Sequence, residues 1–170
     1  PFPDLPDTEF LLILGGNPLI SHMSLVTTPR ARELLDGIAR RGSVVVVDPR
    51  ETETAGRYEH QPIKPGGDVY LLLGLLKCLV EESLTDEDFL ASRVNGWMEL
   101  KHSILAFRWS AICSVSGIDE ERIRGIARDF SRAGAAACYG RVGTNRGRFS
   151  TLANVLMDAL NLATGNFARS

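Results

Sequence analysis

Short apolar runs alternate with polar, glycine-rich breaks along the first part of the chain. One run, Phe10–Leu14, breaks at Gly15–Pro18, and a second run, Ser43–Val47, breaks at Asp48–Thr52. Short runs of aliphatic and β-branched residues are typical of strands that are buried on both faces. With a helix between them, the two runs predict a parallel β-α-β unit.

Helix signals complete the pattern. Thr28-Pro29 predicts the start of a helix that ends at Gly42. Asp68 is predicted to cap a long helix, Val69–Glu82, which is apolar nearly all round and should be buried on more than one side. The remaining predicted elements are, in chain order, a short strand at His60–Ile63, a short helix capped by Asp86, a helix at Trp97–Phe107, a helix opened by Asp119–Glu121, a strand at Ala135–Tyr139 and a helix at about Phe149–Ala163.

The order of these elements predicts the α/β class. We expect a Rossmann-like three-layer fold with a mainly parallel sheet and helices on both of its faces. A chain of 170 residues suffices for one domain with a sizeable core, so residues 1–170 are predicted to be a single domain. Residues 1–8, which contain three prolines, are predicted to be a linker-like start.

The breaks after the strands are candidate ligand-binding loops, because parallel sheets bind ligands outside the carboxyl ends of their strands. Gly15 and Gly16 favour close approach of backbone N–H groups to a phosphate. Asn17 adds an amide donor or caps the following turn, and His22 follows at a spacing that returns to the same rim. The alternative is a simple tight turn, and the sequence lacks the fingerprint of a standard NAD site.

The next two breaks carry charge. Asp48 follows a strand at the position where dinucleotide-binding folds have an acidic residue that accepts hydrogen bonds from the ribose hydroxyls. Arg50 has a guanidinium that is suited to bind a phosphate. The alternative for Asp48–Arg50 is a turn with a surface ion pair. The break at Lys64–Asp68 opens the long helix, whose N-terminus favours anions. Asp68 is interpreted as a helix cap, as a group whose two oxygens match the N1–H and N2–H₂ donors of guanine, or as both.

A fourth break, Tyr139–Gly147, supplies glycines, a hydroxyl, an amide and two arginines. Four such loops predict one shared binding rim. The chain offers no nucleophile beside a base, no paired acids and no metal-ligand set, so we predict a binding domain whose reactive centre lies elsewhere. Three widely spaced cysteines, Cys78, Cys113 and Cys138, are predicted to be buried free thiols.

Charge and hydropathy exclude some partners. The net charge is −2, which gives no general electrostatic basis for binding nucleic acid. No apolar run approaches the roughly 20 residues that span a bilayer. We therefore predict neither a nucleic-acid partner nor a membrane span in these residues.

The order of the loops and their sequence motifs resemble those of the molybdopterin oxidoreductases of the dimethyl-sulfoxide-reductase and formate-dehydrogenase superfamily. The matching stretches cover nearly the whole chain and are Leu14–His22, Arg41-Gly42, Val47–Ala55, Pro62–Asp68, the set Glu82, Asp86, Phe89 and Gly96, then Ser116–Ile118, Ile126–Arg128, Tyr139-Gly140 and Leu162–Asn166. Arg141 stands where relatives often have a small or apolar residue, and Asn145 stands where Gln is frequent.

The resemblance implies one of two central α/β domains, holding one half of a bis(molybdopterin guanine dinucleotide) cofactor with molybdenum or tungsten. The first loop would face the phosphates and the pterin, and the second and third loops would face ribose and guanine. The predicted cofactor-binding residues are Gly15, Gly16, Asn17, His22, Asp48, Pro49, Arg50, Gly66, Asp68, Gly140, Arg141 and Asn145.

By the same resemblance, the metal ligand and any iron–sulfur cluster lie before the matched region. We therefore expect an internal fragment of a larger redox enzyme, inactive alone. Its expected partners are the cofactor, other domains of the same chain and electron-transfer subunits. Two alternatives stay open: the cofactor-free large iron–sulfur subunit of NADH dehydrogenase, and a stand-alone Rossmann-type nucleotide-binding module.

Overall fold

Four parallel strands form the centre of the fold. The computed structural model describes residues 5–22 and 30–165. The sheet has the order β3-β2-β1-β4, and its strands are β1 (Phe10–Leu14), β2 (Ser43–Val47), β3 (Glu59–Gln61) and β4 (Ala136–Gly140). The predicted strands are confirmed, although β3 covers Glu59–Gln61 where His60–Ile63 was predicted and β4 lies one residue later than expected.

Helices cover both faces of the sheet. They are α1 (Pro18–Ser21), α2 (Ala31–Arg41), α3 (Asp68–Glu81), α4 (Glu87–Arg93), α5 (Trp97–Ala106), α6 (Trp109–Ser116), α7 (Glu120–Arg132) and α8 (Ser150–Ala163). Leu11 and Ile13 pack with Leu35 and Ile38 of α2, whereas Leu12 lies in the larger core with α3, α7 and α8. Alternate residues of one strand thus face opposite layers, which confirms the three-layer α/β prediction.

Helix α3 lies in the middle of the larger layer. It contacts α5, α6, α7 and α8, and ten of its residues are buried. Gly74 allows this crowding, because a methyl group there would lie 3.0 Å from side-chain carbons of Ile112 and of Ile123. The prediction that this helix is buried on more than one side is confirmed.

The structure corrects one prediction at a helix start and confirms another. Gly67, not Asp68, occupies the N-cap position of α3, and no side chain caps this helix; Asp68 is its first residue. Asp86 does cap α4, because its Oδ1 accepts a hydrogen bond from the Phe89 N–H at 3.0 Å. The predicted helix start at Thr28-Pro29 lies outside the described residues. Within the described residues, α2 begins at Ala31.

Two helices and one thiol also differ from expectation. The single turn α1 and the separate helix α6 were not predicted from the sequence. Cys78 and Cys138 are buried free thiols as predicted, but Cys113 is only half-buried.

Helices α3 and α7 are joined by an ion-pair network at the edge of the core. Glu82, directly after α3, accepts hydrogen bonds from the Arg128 Nε at 2.8 Å and from the Arg124 Nη1 at 3.2 Å. The Arg124 guanidinium also stacks 4.3 Å from the centroid of the Trp109 ring. The hydrogen bonds from Arg128 hold the pKa of Glu82 at about 2, well below its ordinary value. This network fixes α7 against the end of α3.

Replacing Glu82 with Gln should lower the thermal midpoint at neutral pH. Because the pKa is depressed in the folded state, the stabilisation is present above the ordinary value of 4.5 and is lost as pH falls toward about 2. The difference between wild type and variant should therefore shrink over that interval. Glu121→Gln is the matched control, since Glu121 is 81% exposed although it also pairs with Arg128. A pH-independent difference would contradict the assignment.

The outer strand β4 is held on its open side by a side chain. Asn161 of α8 accepts a hydrogen bond from the Cys138 N–H at 2.8 Å and donates one to the Cys138 carbonyl at 3.1 Å. The side-chain amide thus pairs with the backbone of β4 as a neighbouring strand would. Among residues 5–22 and 30–165, no helix is long and apolar enough to cross a membrane.

Candidate functional site

The topology places a switch point between β1 and β4. From β1 the chain proceeds to β2 and β3 on one side, and later returns to β4 on the other side. In open parallel sheets, ligands bind at the carboxyl ends of the strands at such a point. We name the four segments at this edge loop 1 (residues 15–17), loop 2 (residues 48–54), loop 3 (residues 64–67) and loop 4 (residues 141–149).

Loops 1 and 4 touch through their backbones. The Gly143 N–H donates to the Gly15 carbonyl at 3.0 Å, and the Arg141 N–H donates to the Leu14 carbonyl at 3.0 Å. Gly15 has a φ of +56°, and a methyl group on it would lie 2.7 Å from the Gly143 Cα. Only glycine satisfies both the left-handed backbone and this close approach. The two glycines therefore fix the relative position of loops 1 and 4.

Asn17 connects loop 1 to loop 2. Its Oδ1 accepts from the Thr54 Oγ1 at 2.7 Å and from the Thr54 N–H at 3.3 Å, and its Nδ2 donates to Glu53 at 2.7 Å. The side chain makes no capping hydrogen bond to α1, so its predicted capping role is wrong. Within the described part of the chain, the backbone N–H groups of Gly16 and Asn17 have no hydrogen-bond acceptor. Loop 1 thus offers backbone donors while its amide side chain serves as a cross-link.

Loop 2 begins with a tight turn. Asp48 is half-buried, and its Oδ1 accepts from the Arg50 N–H at 2.9 Å. The turn leaves Pro49 and Arg50 exposed at the rim. His60 lies within 3.0 Å of the Asp48 carbonyl through its Nε2, which gives this histidine a structural role.

Loop 3 brings a second carboxylate to the same edge. Asp68, at the start of α3, is half-buried, and burial together with the nearby charge of Asp48 raises the pKa of its carboxyl. Among the described residues, no cation forms an ion pair with it. Lys64 lies in the same loop, and its Nζ donates to the Ser114 carbonyl at 3.0 Å.

A small cavity of about 130 Å³ opens beside Asp68. One wall comes from the start of α3, with Gly66 and Asp68, and the other comes from loop 4 and the first turn of α8. The residues on the second wall that sequence reasoning did not select are Arg148, Phe149, Ser150 and Ala153. The sequence feature that pointed to them was the predicted helix start near Phe149, directly after a glycine-rich loop. That this helix start lies opposite α3 depends on tertiary packing and could not be predicted from the local sequence.

The other predicted site residues lie at different places on the edge. Gly140 ends β4 with its Cα against Met157, and the aliphatic part of Arg141 packs on Gly16. His22 is exposed at the end of α1, with a φ of +49°. Asn145 is exposed and bonded to Asn154 at 2.8 Å. The structure thus gathers Gly15, Gly16, Gly140 and Arg141 at the switch point, and Gly66 with Asp68 at the cavity, whereas Asp48, His22 and Asn145 do not line that cavity.

Comparisons with known proteins agree with this architecture. No family model matches the sequence. The chain is 28% identical over 169 residues to the F420-dependent formate dehydrogenase 1 subunit alpha of Methanococcus maripaludis, a match that covers 98% of the chain and 24% of the relative. It is 25% identical to formate dehydrogenase H of Escherichia coli, covering 98% of the chain and 23% of the relative.

Two further relatives extend the comparison. The arsenate respiratory reductase molybdopterin-containing subunit ArrA of Chrysiogenes arsenatis is 30% identical over 188 residues, covering 95% of the chain and 22% of the relative. The solved structure of acetylene hydratase from Pelobacter acetylenicus superposes with a TM-score of 0.86 at 25% identity, covering 99% of the chain and 23% of that structure. The chain thus spans about a quarter of the length of the relatives it matches. It belongs to the molybdopterin oxidoreductase superfamily that includes the formate dehydrogenases.

Proposed function

We propose that this chain is the molybdopterin-guanine-dinucleotide-binding domain of a molybdenum or tungsten oxidoreductase. It holds one half of a bis(molybdopterin guanine dinucleotide) cofactor. The observation that carries the proposal is the convergence of four loops at one switch point, beside a cavity that contains a half-buried carboxylate without a cationic partner among the described residues.

The cavity suits the guanine base. Its volume of about 130 Å³ is close to the roughly 150 Å³ of an engineered cavity that binds benzene, so it accepts a single ring system and not a whole dinucleotide. An ionised carboxylate only accepts hydrogen bonds, and guanine offers adjacent N1–H and N2–H₂ donors. Asp68 therefore binds the donor edge of guanine, which is one of the roles that the sequence left open for it.

The remaining loops suit the rest of the dinucleotide. Gly16 and Asn17 present the backbone N–H groups noted above, which bind phosphate oxygens in many nucleotide sites. Asp48 directly follows β2, where an acid accepts from ribose hydroxyls, and the exposed Arg50 is suited to a phosphate. By the resemblance, loop 1 would face the pterin as well as the phosphates.

These roles separate the chemistry of the metal centre from the binding functions of this chain. When bound, the metal centre supplies two-electron redox chemistry. The residues of this chain bind the phosphates, ribose and base, and thereby orient the cofactor. We expect the 170-residue chain alone to be inactive, and we expect the metal ligand and any iron–sulfur cluster to belong to other parts of the full-length protein.

Elemental and nucleotide analysis of the full-length protein tests the proposal. We expect molybdenum or tungsten, and two guanine nucleotides per metal after acid release. An active protein that contains neither the metal nor guanine would overturn the proposal and favour the cofactor-free iron–sulfur subunit. Calorimetry with GMP, GDP and NAD addresses the third alternative, because binding of NAD without binding of guanine nucleotides would favour a stand-alone nucleotide module.

A further inference from the structure

The two walls of the cavity differ in charge. The wall at the start of α3 carries the Asp68 carboxylate. The opposite wall includes Arg148 and the N-terminus of α8, a helix of 14 residues with no acid in its first turn and no side-chain cap. The first N–H groups of such a helix have no intrahelical acceptor and carry partial positive charge. One wall therefore accepts hydrogen bonds and the other donates them.

The opposite charges do not neutralise one another. Asp68 and Arg148 line the same cavity, yet neither takes part in an ion pair between described residues. The Arg148 guanidinium instead lies 5.4 Å from the centroid of the Phe149 ring, and Phe149 is 48% exposed. An acceptor and a donor that face one cavity without pairing suit a ligand with both kinds of group on its edge.

We propose that Arg148, together with the first turn of α8, binds the O6 and N7 acceptors of guanine, and that this wall makes the nucleotide site specific for guanine. The inference rests on the proposed function, because it concerns the base of the same cofactor. Asp68 and Arg148 then bind opposite sides of one ring system, and the Phe149 ring flanks the entrance beside the guanidinium.

The chemistry of the bases supports this discrimination. Guanine presents O6 and N7 as acceptors, and an arginine fork is suited to bind both at once. Adenine has an N6–H₂ donor where guanine has O6, and cytosine has an N4–H₂ donor. Either base would place a donor against Arg148 and the N–H groups of α8. Removing the guanidinium should therefore weaken guanine binding and also relax the choice of base.

The test compares two neighbouring arginines in the full-length protein. Arg146 and Arg148 are both exposed residues of loop 4, but only Arg148 lines the cavity. In cofactor-free protein, Arg148→Gln should weaken GMP binding about tenfold, the loss expected for one hydrogen bond from a charged group. Arg146→Gln should change it less than twofold. Since GMP and AMP carry the same phosphate, their affinity ratio reports the base alone, and only Arg148→Gln should lower that ratio.

The outcomes separate the two claims. If the wild-type protein contains neither guanine nucleotide nor metal, the proposed function fails. If the wild-type protein holds the guanine cofactor but Arg148→Gln keeps the same ratio of GMP to AMP affinity, this inference alone is overturned. An equal loss of GMP and AMP binding is one form of that unchanged ratio, and it would assign Arg148 to the phosphate. Unchanged thermal midpoints in both variants establish that the fold is intact.

Discussion

Asp68→Asn should strip the full-length protein of most of its cofactor without destabilising the cofactor-free form. The substitution removes the charge that accepts two hydrogen bonds from guanine, and hydrogen bonds to charged groups are worth about 1.5–3 kcal/mol each. We expect at least a tenfold loss in cofactor retention, measured as metal and guanine per chain after gel filtration. The cofactor-free protein should tolerate the change, because Asp68 makes no capping hydrogen bond in α3.

The pH dependence of Asp68 gives a second signature of this role. Burial and the charge of Asp48 raise the pKa of its carboxyl, so ionisation is unfavourable in the folded, cofactor-free protein. Above this raised pKa the charge costs stability, and protonation on lowering the pH removes that cost. Protonation also removes the acceptor that guanine needs. Cofactor retention should therefore begin to fall at a higher pH than an ordinary aspartate would give, and Asp68→Asn should abolish this dependence.

Asp86→Ala is the matched control for Asp68. Asp86 caps α4 through the Phe89 N–H and lies outside the cavity. Its loss should cost about 1 kcal/mol of folding free energy, as for other N-caps, while the metal content stays unchanged. Equal metal content in Asp68→Asn and Asp86→Ala would contradict the assignment of Asp68 to the base.

Gly15→Ala should be the most destabilising single methyl addition at the rim. A residue other than glycine at φ +56° costs roughly 1–2 kcal/mol, and overpacking typically adds about 1–3 kcal/mol. The methyl group would lie 2.7 Å from a Cα and 2.9 Å from the Thr144 backbone nitrogen, and backbone cannot move aside as a side chain does. We expect a loss of roughly 2–5 kcal/mol in unfolding free energy, measured by denaturant titration of the cofactor-free protein.

Gly125→Ala provides the comparison for Gly15→Ala. Gly125 lies inside α7, and a methyl group there would meet no atom within 4 Å among the described residues. Alanine should therefore stabilise the helix by about 0.5–1 kcal/mol. If both substitutions shifted the denaturation midpoint in the same direction and by similar amounts, the close contact between loops 1 and 4 would be wrong.

Elements with strong local signals could be predicted from the sequence. The aliphatic run of β2 and the acid-rich start of α7 each carry their own signal, and both were located correctly. The cap of α3 was misplaced because Gly66, at φ +80°, turns the chain one residue earlier than the preference of Asp68 for an N-cap suggested. Helix α6 was missed because it has no side-chain cap, and Trp109 at its start is held by Arg124 and Glu81 from distant elements.

The same contrast applies to the site. The polarity of parallel strands brings their breaks to one edge, so the rim was predictable from the order of elements. The partners of Asn17 lie 36 and 37 residues away, and no local pattern shows that its amide is used to join two loops. Arg148 was overlooked for a similar reason, since its position opposite Asp68 depends on how α8 packs against α3.

The amide of Asn161 has a consequence for how this domain meets its surroundings. Because it uses both backbone groups of Cys138, it blocks the middle of β4 against the addition of a fifth strand. A strand could pair with the middle of β4 only after the Asn161 amide had moved away, so the packing of α8 protects this part of the sheet edge against strand addition.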